Sequence, residues 1–173
     1  TYQGGFSIDK ALTVIGAGED EDPDRSTILK GATEQRVLFI SNGTGAVTLQ
    51  QLHITGGHVP RSADGGGIRH DGTRLVMNAC TVAGNQAVNG GGIEHNSGIL
   101  EMTRCTVRDN FANRIGASHG HGGGIFQIAQ ATLTDCLITS NDAEQLGGGI
   151  VSSSEHPLVL AGMTVIRDNS AGA

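Results

Sequence analysis

Aromatic residues are nearly missing from this chain: they make up 3% of it, and tryptophan is absent. Broad stacking platforms for long carbohydrates are therefore not expected. Proline is almost as scarce, at three residues, and no run approaches the ~18–20 apolar residues of a membrane-crossing helix. No membrane insertion is expected, and no signal-peptide pattern is visible. The formal charge of −6 is spread along the chain, with no cluster of Lys and Arg, which argues against a phosphate-backbone partner such as nucleic acid. The three cysteines stand 25 and 31 residues apart, a spacing that fits no metal-binding or redox motif. No cofactor is expected.

Glycine, by contrast, is abundant: 28 of 173 residues, against about 7% in ordinary proteins. The glycines come in clusters rather than at every third position, which excludes collagen. Gly-Gly-Gly-Ile occurs four times, ending at Ile68, Ile93, Ile125 and Ile150, at intervals of 25, 32 and 25 residues. The same phrase follows each: alternating apolar residues, a small or sulfur-bearing residue, a β-branched residue, then Asn and Ala. Self-similarity of this period marks a supersecondary unit stacked on itself.

Counting from Ile40, Ile68, Ile93, Ile125 and Ile150 as equivalent origins predicts the inward columns. They are Val47, Leu49, Leu52 and Ile54, then Leu75, Met77, Cys80 and Val82, then Leu100, Met102, Cys105 and Val107. The fourth coil, one residue shorter, supplies Ala131, Leu133, Cys136 and Ile138; the fifth, one longer, supplies Leu158, Leu160, Met163 and Val165. Period-2 alternation gives short strands, three to a coil, each pairing in parallel with its copies about 4.8 Å above and below. The predicted fold is an all-β, single-stranded, right-handed parallel β-helix of about five to six coils, the hand following from the preference of parallel crossovers. A single domain over 1–173 is expected, with an irregular first coil at 1–36 and five repeat coils at 37–173.

Candidate functional residues are weighed against that frame. Asn85, Asn110, Asn141 and Asn169 close the third strand in successive coils, and a ladder of amide hydrogen bonds accounts for them. Ala87, Ala112, Ala143 and Ala171 follow two positions later as small corner residues. The column Leu52, Cys80, Cys105, Cys136, Met163 interchanges Leu, Cys and Met, as a buried apolar slot does, so reduced thiols are expected. His70 and His95 fall in a column with Asn42, Gln127 and Ser152, which reads as a polar turn ladder. His119 and His121 sit in the long insertion at 113–121. They are the weak candidates for a metal, with Asp64 or His58 as companions, and a solvated loop is the plainer reading. Acidic residues 19–24 read as a solvated loop without the ligand spacing of an EF-hand. Gly120–Gly124 lacks the Lys-Ser/Thr of a phosphate loop. The outward acids Glu94, Glu101, Asp109, Asp135, Glu144, Glu155 and Asp168 are scattered. Arg69 with Glu94, and Arg104 with Asp135, look like ordinary cross-strand ion pairs. No catalytic constellation emerges.

With the pattern GGGI…L.M..CTV..N.A…GGGI in view, the chain resembles the right-handed β-helix repeats of bacterial surface proteins. These are of the polymorphic outer-membrane and autotransporter-passenger type, with pectate-lyase-like architecture. Thr1-Tyr2 and the stretch Ile8 to Gly18 are similar to an opening coil of that group. The resemblance implies an extracellular or cell-surface location, and no catalytic residue can be carried over from it. The expected role is a non-enzymatic stalk, adhesin segment or filament subunit. Open solenoid edges would pair with the remainder of a longer solenoid or head to tail with other copies. The rival expectation is a β-helix that binds a surface glycan or cleaves polysaccharide, with the outer strand face and the 113–121 loop as its groove.

Overall fold

A computed structural model describes residues 1–18, 27–59, 63–113, 120–153 and 155–172. Among them there is no helix, and every strand pairing is parallel. The chain winds through about five coils, and like strands of successive coils stack into four sheets. Sheet I holds Phe6–Ile8, Leu38–Ile40, Ile68–His70, Ile93–His95, Ile125–Gln127 and Ile150–Ser152. Sheet II holds Leu12–Ile15, Ala46–Gln50, Arg74–Asn78, Ile99–Thr103, Gln130–Thr134 and Leu158–Ala161. Sheet III runs from Tyr2–Gln3 through Ile28–Lys30, His53–Thr55, Thr81–Ala83, Thr106–Arg108 and Leu137–Thr139 to Val165–Arg167. Sheet IV is not among the three strands per coil expected from the pattern. It is made of two-residue strands at Gln86–Ala87, Phe111–Ala112, Asp142–Ala143 and Ser170–Ala171.

The alternation of sheet II carries Leu75, Met77, Leu100, Met102 and Leu133 inward, all 0 or 1% exposed. It breaks once per coil, because Cys80, Cys105 and Cys136 also point in, three residues after the preceding inward residue instead of two. Gln51, Ala79, Arg104 and Asp135 absorb the extra step, with φ between 48° and 54°. A second left-handed corner, at Asp109, Ser140 and Asp168, precedes the asparagines of the later coils. Asn and Asp tolerate such angles better than Ala or Arg do, so only part of this pattern shows in residue type.

At the second corner the asparagines form a buried chain of amides. Nδ2 of Asn85 donates to Oδ1 of Asn110 at 3.0 Å, Asn110 to Asn141 at 2.9 Å, and Asn141 to Asn169 at 3.0 Å. The backbone N–H of each of the first three also donates to the next Oδ1. Nδ2 further reaches a carbonyl one coil back: Ile54, Val82 and Val107 in turn. One coil before Asn85 the column continues as Gly57, whose N–H donates to Asn85 Oδ1 at 2.9 Å.

This ladder explains the glycine runs. The first glycine of each run has positive φ, from 58° to 68°. The second lies against the next coil: a Cβ on Gly91 would stand 2.4 Å from the Phe111 carbonyl oxygen and 2.6 Å from that of Gly123. The third faces the asparagine side chain, 3.0 Å from Asn110 for a Cβ on Gly92. Three glycines in a row are the consequence of a wall approaching the ladder at backbone contact.

The register corrects the sequence count at two places. Ile40 pairs with His70, and it is Leu38 that pairs with Ile68, so the first repeat coil starts two residues earlier than counted. The extra length is spent in the turn at Ser41–Gly45, where Asn42 is exposed and joins no column. In the last coil Ile166, not Val165, pairs with Ile138, and Met163 is 83% exposed. Thr164 takes the place of the cysteines there. Its Oγ1 donates toward Leu133 O and Ala161 O, as Cys136 Sγ does toward Met102 O and Thr134 O. The added residue is accommodated at Gly162, with φ 62°.

Replacing Asn110 by Ala removes the acceptor of two Asn85 groups and the donor to Val82, all buried. The expected cost is about 3 kcal/mol in urea unfolding, against about 1 kcal/mol for Asn169→Ala at the edge. Gly91→Ala is expected to cost more than about 4 kcal/mol, because its Cβ meets backbone. Gly43→Ala, at φ 78° with no atom within 4 Å of the new Cβ, should cost only about 1 kcal/mol.

Candidate functional site

The two faces of sheet I concentrate the titratable chemistry of the molecule. Inward runs the column Ile8, Ile40, His70, His95, Gln127, Ser152, of which the middle four are fully buried. His70 and His95 are therefore core residues, where a polar turn ladder was expected. Their rings stack with centroids 4.9 Å apart and 8° between planes, and the two Nδ1 atoms are 2.9 Å apart. His95 Nε2 lies 2.9 Å from Gln130 O, and since a carbonyl only accepts, that nitrogen carries the proton. Neutral His95 then offers a lone pair at Nδ1, which His70 fills with its own Nδ1–H. His70 Nε2 is left as a buried lone pair with no hydrogen-bond partner, as is Gln127 Oε1. Burial, then the neighbouring His95, pushes the His70 pKa down to about 4, and burial lowers that of His95.

Outward, the same strands present Ser7, Phe39, Arg69, Glu94, Phe126 and Val151 in register. Arg69 Nε donates to both oxygens of Asp71, at 2.9 and 3.2 Å, and Arg69 Nη1 lies 3.5 Å from Glu94 Oε2. Asn96 Nδ2 adds a donor to Asp71 at 2.9 Å. Glu94 is not the ordinary surface ion-pair partner that the pattern suggested: it is 4% exposed, and its Oε2 accepts no hydrogen bond. Burial first, then the charge of Asp64, raises its pKa to about 7. Arg36 lies over the Phe39 ring, 5.5 Å from its centroid, at the rim of the same face. Neither Arg36 nor the burial of Glu94 could be read from the repeat, because the count from Ile40 hid the match of Leu38-Phe39-Ile40 to Ile68-Arg69-His70. Their shared in-out-in alternation was the available signal. No ion pair joins Arg104 to Asp135, whose Oδ1 accepts from Met163 N instead.

Of the loop candidates, His119 lies outside the described residues, as do residues 19–24 of the acidic stretch. His121 is drawn into the wall of the solenoid. Its backbone bridges Asn89 and Leu146, its N–H donates to Asn89 Oδ1, and its Nε2 is 3.1 Å from Gln145 Oε1. Asp64 Oδ1 accepts from Asn89 N and Nδ2, continuing the same line of contacts one coil back. His58 is exposed and pairs by its backbone with Gln86. Among the described residues no group of three or more His, Cys, Asp or Glu side chains is placed to hold a metal ion. Cys80, Cys105 and Cys136 are free and buried, stacked in consecutive coils. Hydrogen bonding with the thiols of Cys136 and Cys80, then burial, holds the Cys105 thiol protonated far above its ordinary range.

Fold and register define a parallel β-solenoid. No family model, curated protein or solved structure matches the chain.

The two buried groups on sheet I act on stability in opposite directions. Unfolded His70 gains a proton below its ordinary 6.5 while the folded side chain stays neutral down to about 4, so stability is lost as pH falls through that window. Folded Glu94 keeps its proton up to about 7 while the unfolded carboxyl releases it above 4.5, so stability is lost as pH rises through that window. Each effect amounts to about 3 kcal/mol, and from 4.5 to 6.5 these two oppose one another. Burial holds His95 neutral as well, so its response adds to that of His70, and urea unfolding should show stability rising with pH there. Glu94→Gln should steepen that rise, and His70→Ile, which extends the Ile8–Ile40 column, should reduce the loss in acid.

Proposed function

We propose that the chain is a rigid, non-enzymatic segment of a β-solenoid at the cell surface or outside the cell, a stalk, adhesin segment or filament unit. In this reading its outermost coils are completed by stacking another coil. The observation that carries the reading is the state of the core columns in the last coil. Leu160 and Ile166 occupy columns whose members in the interior coils are wholly buried, yet they are 48% and 43% exposed. At the opposite end a cavity of about 200 Å³ opens onto the same columns, lined by Phe6, Ile8, Leu12, Val14 and Leu29 among others. The two faces present matching columns by virtue of the repeat, and a strand edge offers unpaired N–H and C=O groups to an incoming strand. Covering Leu160 and Ile166 would contribute about 1 kcal/mol each. Resemblance to bacterial surface repeats supports the location.

Sedimentation of the purified chain should show linear, concentration-dependent association, seen as short rods by electron microscopy. Leu160→Asp with Ile166→Asp should abolish it without changing the β-sheet circular dichroism. A chain that stays monomeric at every concentration would reject stacking between copies.

A further inference from the structure

The outer face of sheet I carries a groove of about 610 Å³ at its first three strands, whose lining includes Arg36, Phe39, Val59 and Arg69 together with the carboxylates Glu34 and Asp71. Its charges are unevenly matched. Arg69 is held by Asp71 and approached by Glu94, so its charge is answered within the wall. Asp71 is also bound by Asn96, and Asp64 is bound by Asn89. Glu34 stands exposed on the preceding bend, at φ 59°. Arg36 makes no ion pair among the described residues, and its guanidinium rests on the Phe39 ring at 5.5 Å. Burial, then the nearby charge of Arg69, lowers its pKa, and these outweigh the opposing pull of Glu94, Asp71 and Asp64.

We propose that this groove is a binding site for an organic carboxylate carried on a ring. The free fork of Arg36 would take the carboxylate in paired hydrogen bonds, and the ring would lie along Phe39 and the apolar wall at Val59. A guanidinium fork fits a carboxylate in two parallel contacts, which a bare ammonium could not offer. An aromatic plate beside it selects ligands with a flat carbon face over small inorganic anions. The volume lies within the ordinary range for small-molecule sites. Arg69, fixed by Asp71, does not compete for the same contact. The rigid stacking of sheet I holds Phe39 and Arg69 in adjacent strands, so the site is largely pre-formed. This inference does not depend on stacking between solenoid ends.

Titration of the whole chain by amide NMR tests it, with benzoate and glucuronate as the two ring carboxylates and benzamide and inorganic phosphate as controls. Saturable shifts at Phe39, Arg36 and Ser7 with benzoate alone would support the site and mark an aromatic acid. The same with glucuronate alone would support it and mark a sugar acid, and with both would support the shared chemistry. Arg36→Gln should weaken binding about tenfold or more, and Phe39→Leu severalfold, with the spectra of both variants otherwise unchanged. If Arg36→Gln fails to fold, the benzamide control still decides, since the neutral amide must bind far more weakly than the acid. No saturable shift with either acid, equal binding of benzamide, equal binding to Arg36→Gln, or phosphate competing as well as the ring acids would each overturn the proposal.

Discussion

Each residue in the middle of this molecule stands about one strand spacing from its own counterpart in the next coil, and that repetition governs everything else. The buried amides show the constraint most clearly. An asparagine at the corner must satisfy its neighbour's amide as well as the carbonyl one coil back, so the side chain cannot be exchanged in one coil alone. Where the ladder has no asparagine it ends on a main-chain donor, at Gly57. The second and third glycines of each run follow from the same wall, because a Cβ there would press on the backbone of the next coil or on a ladder asparagine. A substitution that preserves the role is accepted, as when the Thr164 hydroxyl replaces a thiol and bonds the equivalent carbonyls.

Stacking like on like is comfortable for apolar side chains and costly for charged ones. On the outer face of sheet I the chain avoids it by alternating Phe39, Arg69, Glu94 and Phe126 down the column. The result is a short polar cluster between two aromatic rings, in which Glu94 is buried and Arg69 is clamped by Asp71. On the inner face the same strands stack two imidazoles, whose hydrogen bonds force one proton pattern and leave His70 Nε2 bare. Titratable groups with opposite pH responses thus sit back to back across one strand. The balance between them is a property of that strand and not of the surface as a whole.

Such a scaffold suits functions that need reach and fixed geometry more than motion. Its long-range parallel pairing holds outward residues at set spacing, so a groove on one face is shaped by adjacent strands and by the bend that carries Arg36. The proposed rod and the proposed groove site would be separate uses of one lattice. The first draws on columns left uncovered in the last coil, the second on a cation left unmatched at the rim.

Fold class was legible in residue type and spacing alone, because four glycine-led repeats with period-2 alternation admit one arrangement of strands. Asn85, Asn110 and Asn141 and the cysteine column were legible for the same reason: each recurs at the repeat interval and does one job in every coil. What the repeat could not reveal was register where loop length changes. The extra residues at Ser41–Gly45 and at Gly162 moved Ile40 onto His70 and turned Met163 out, and only the alternation of Leu38-Phe39-Ile40 gave a sign of the first step. Burial of Glu94 and the half-buried setting of Arg36 against Phe39 likewise came only with the fold. An outward position on a strand fixes direction, whereas cover comes from segments far away in the chain, and it is that cover which sets the charge state of the groups beneath.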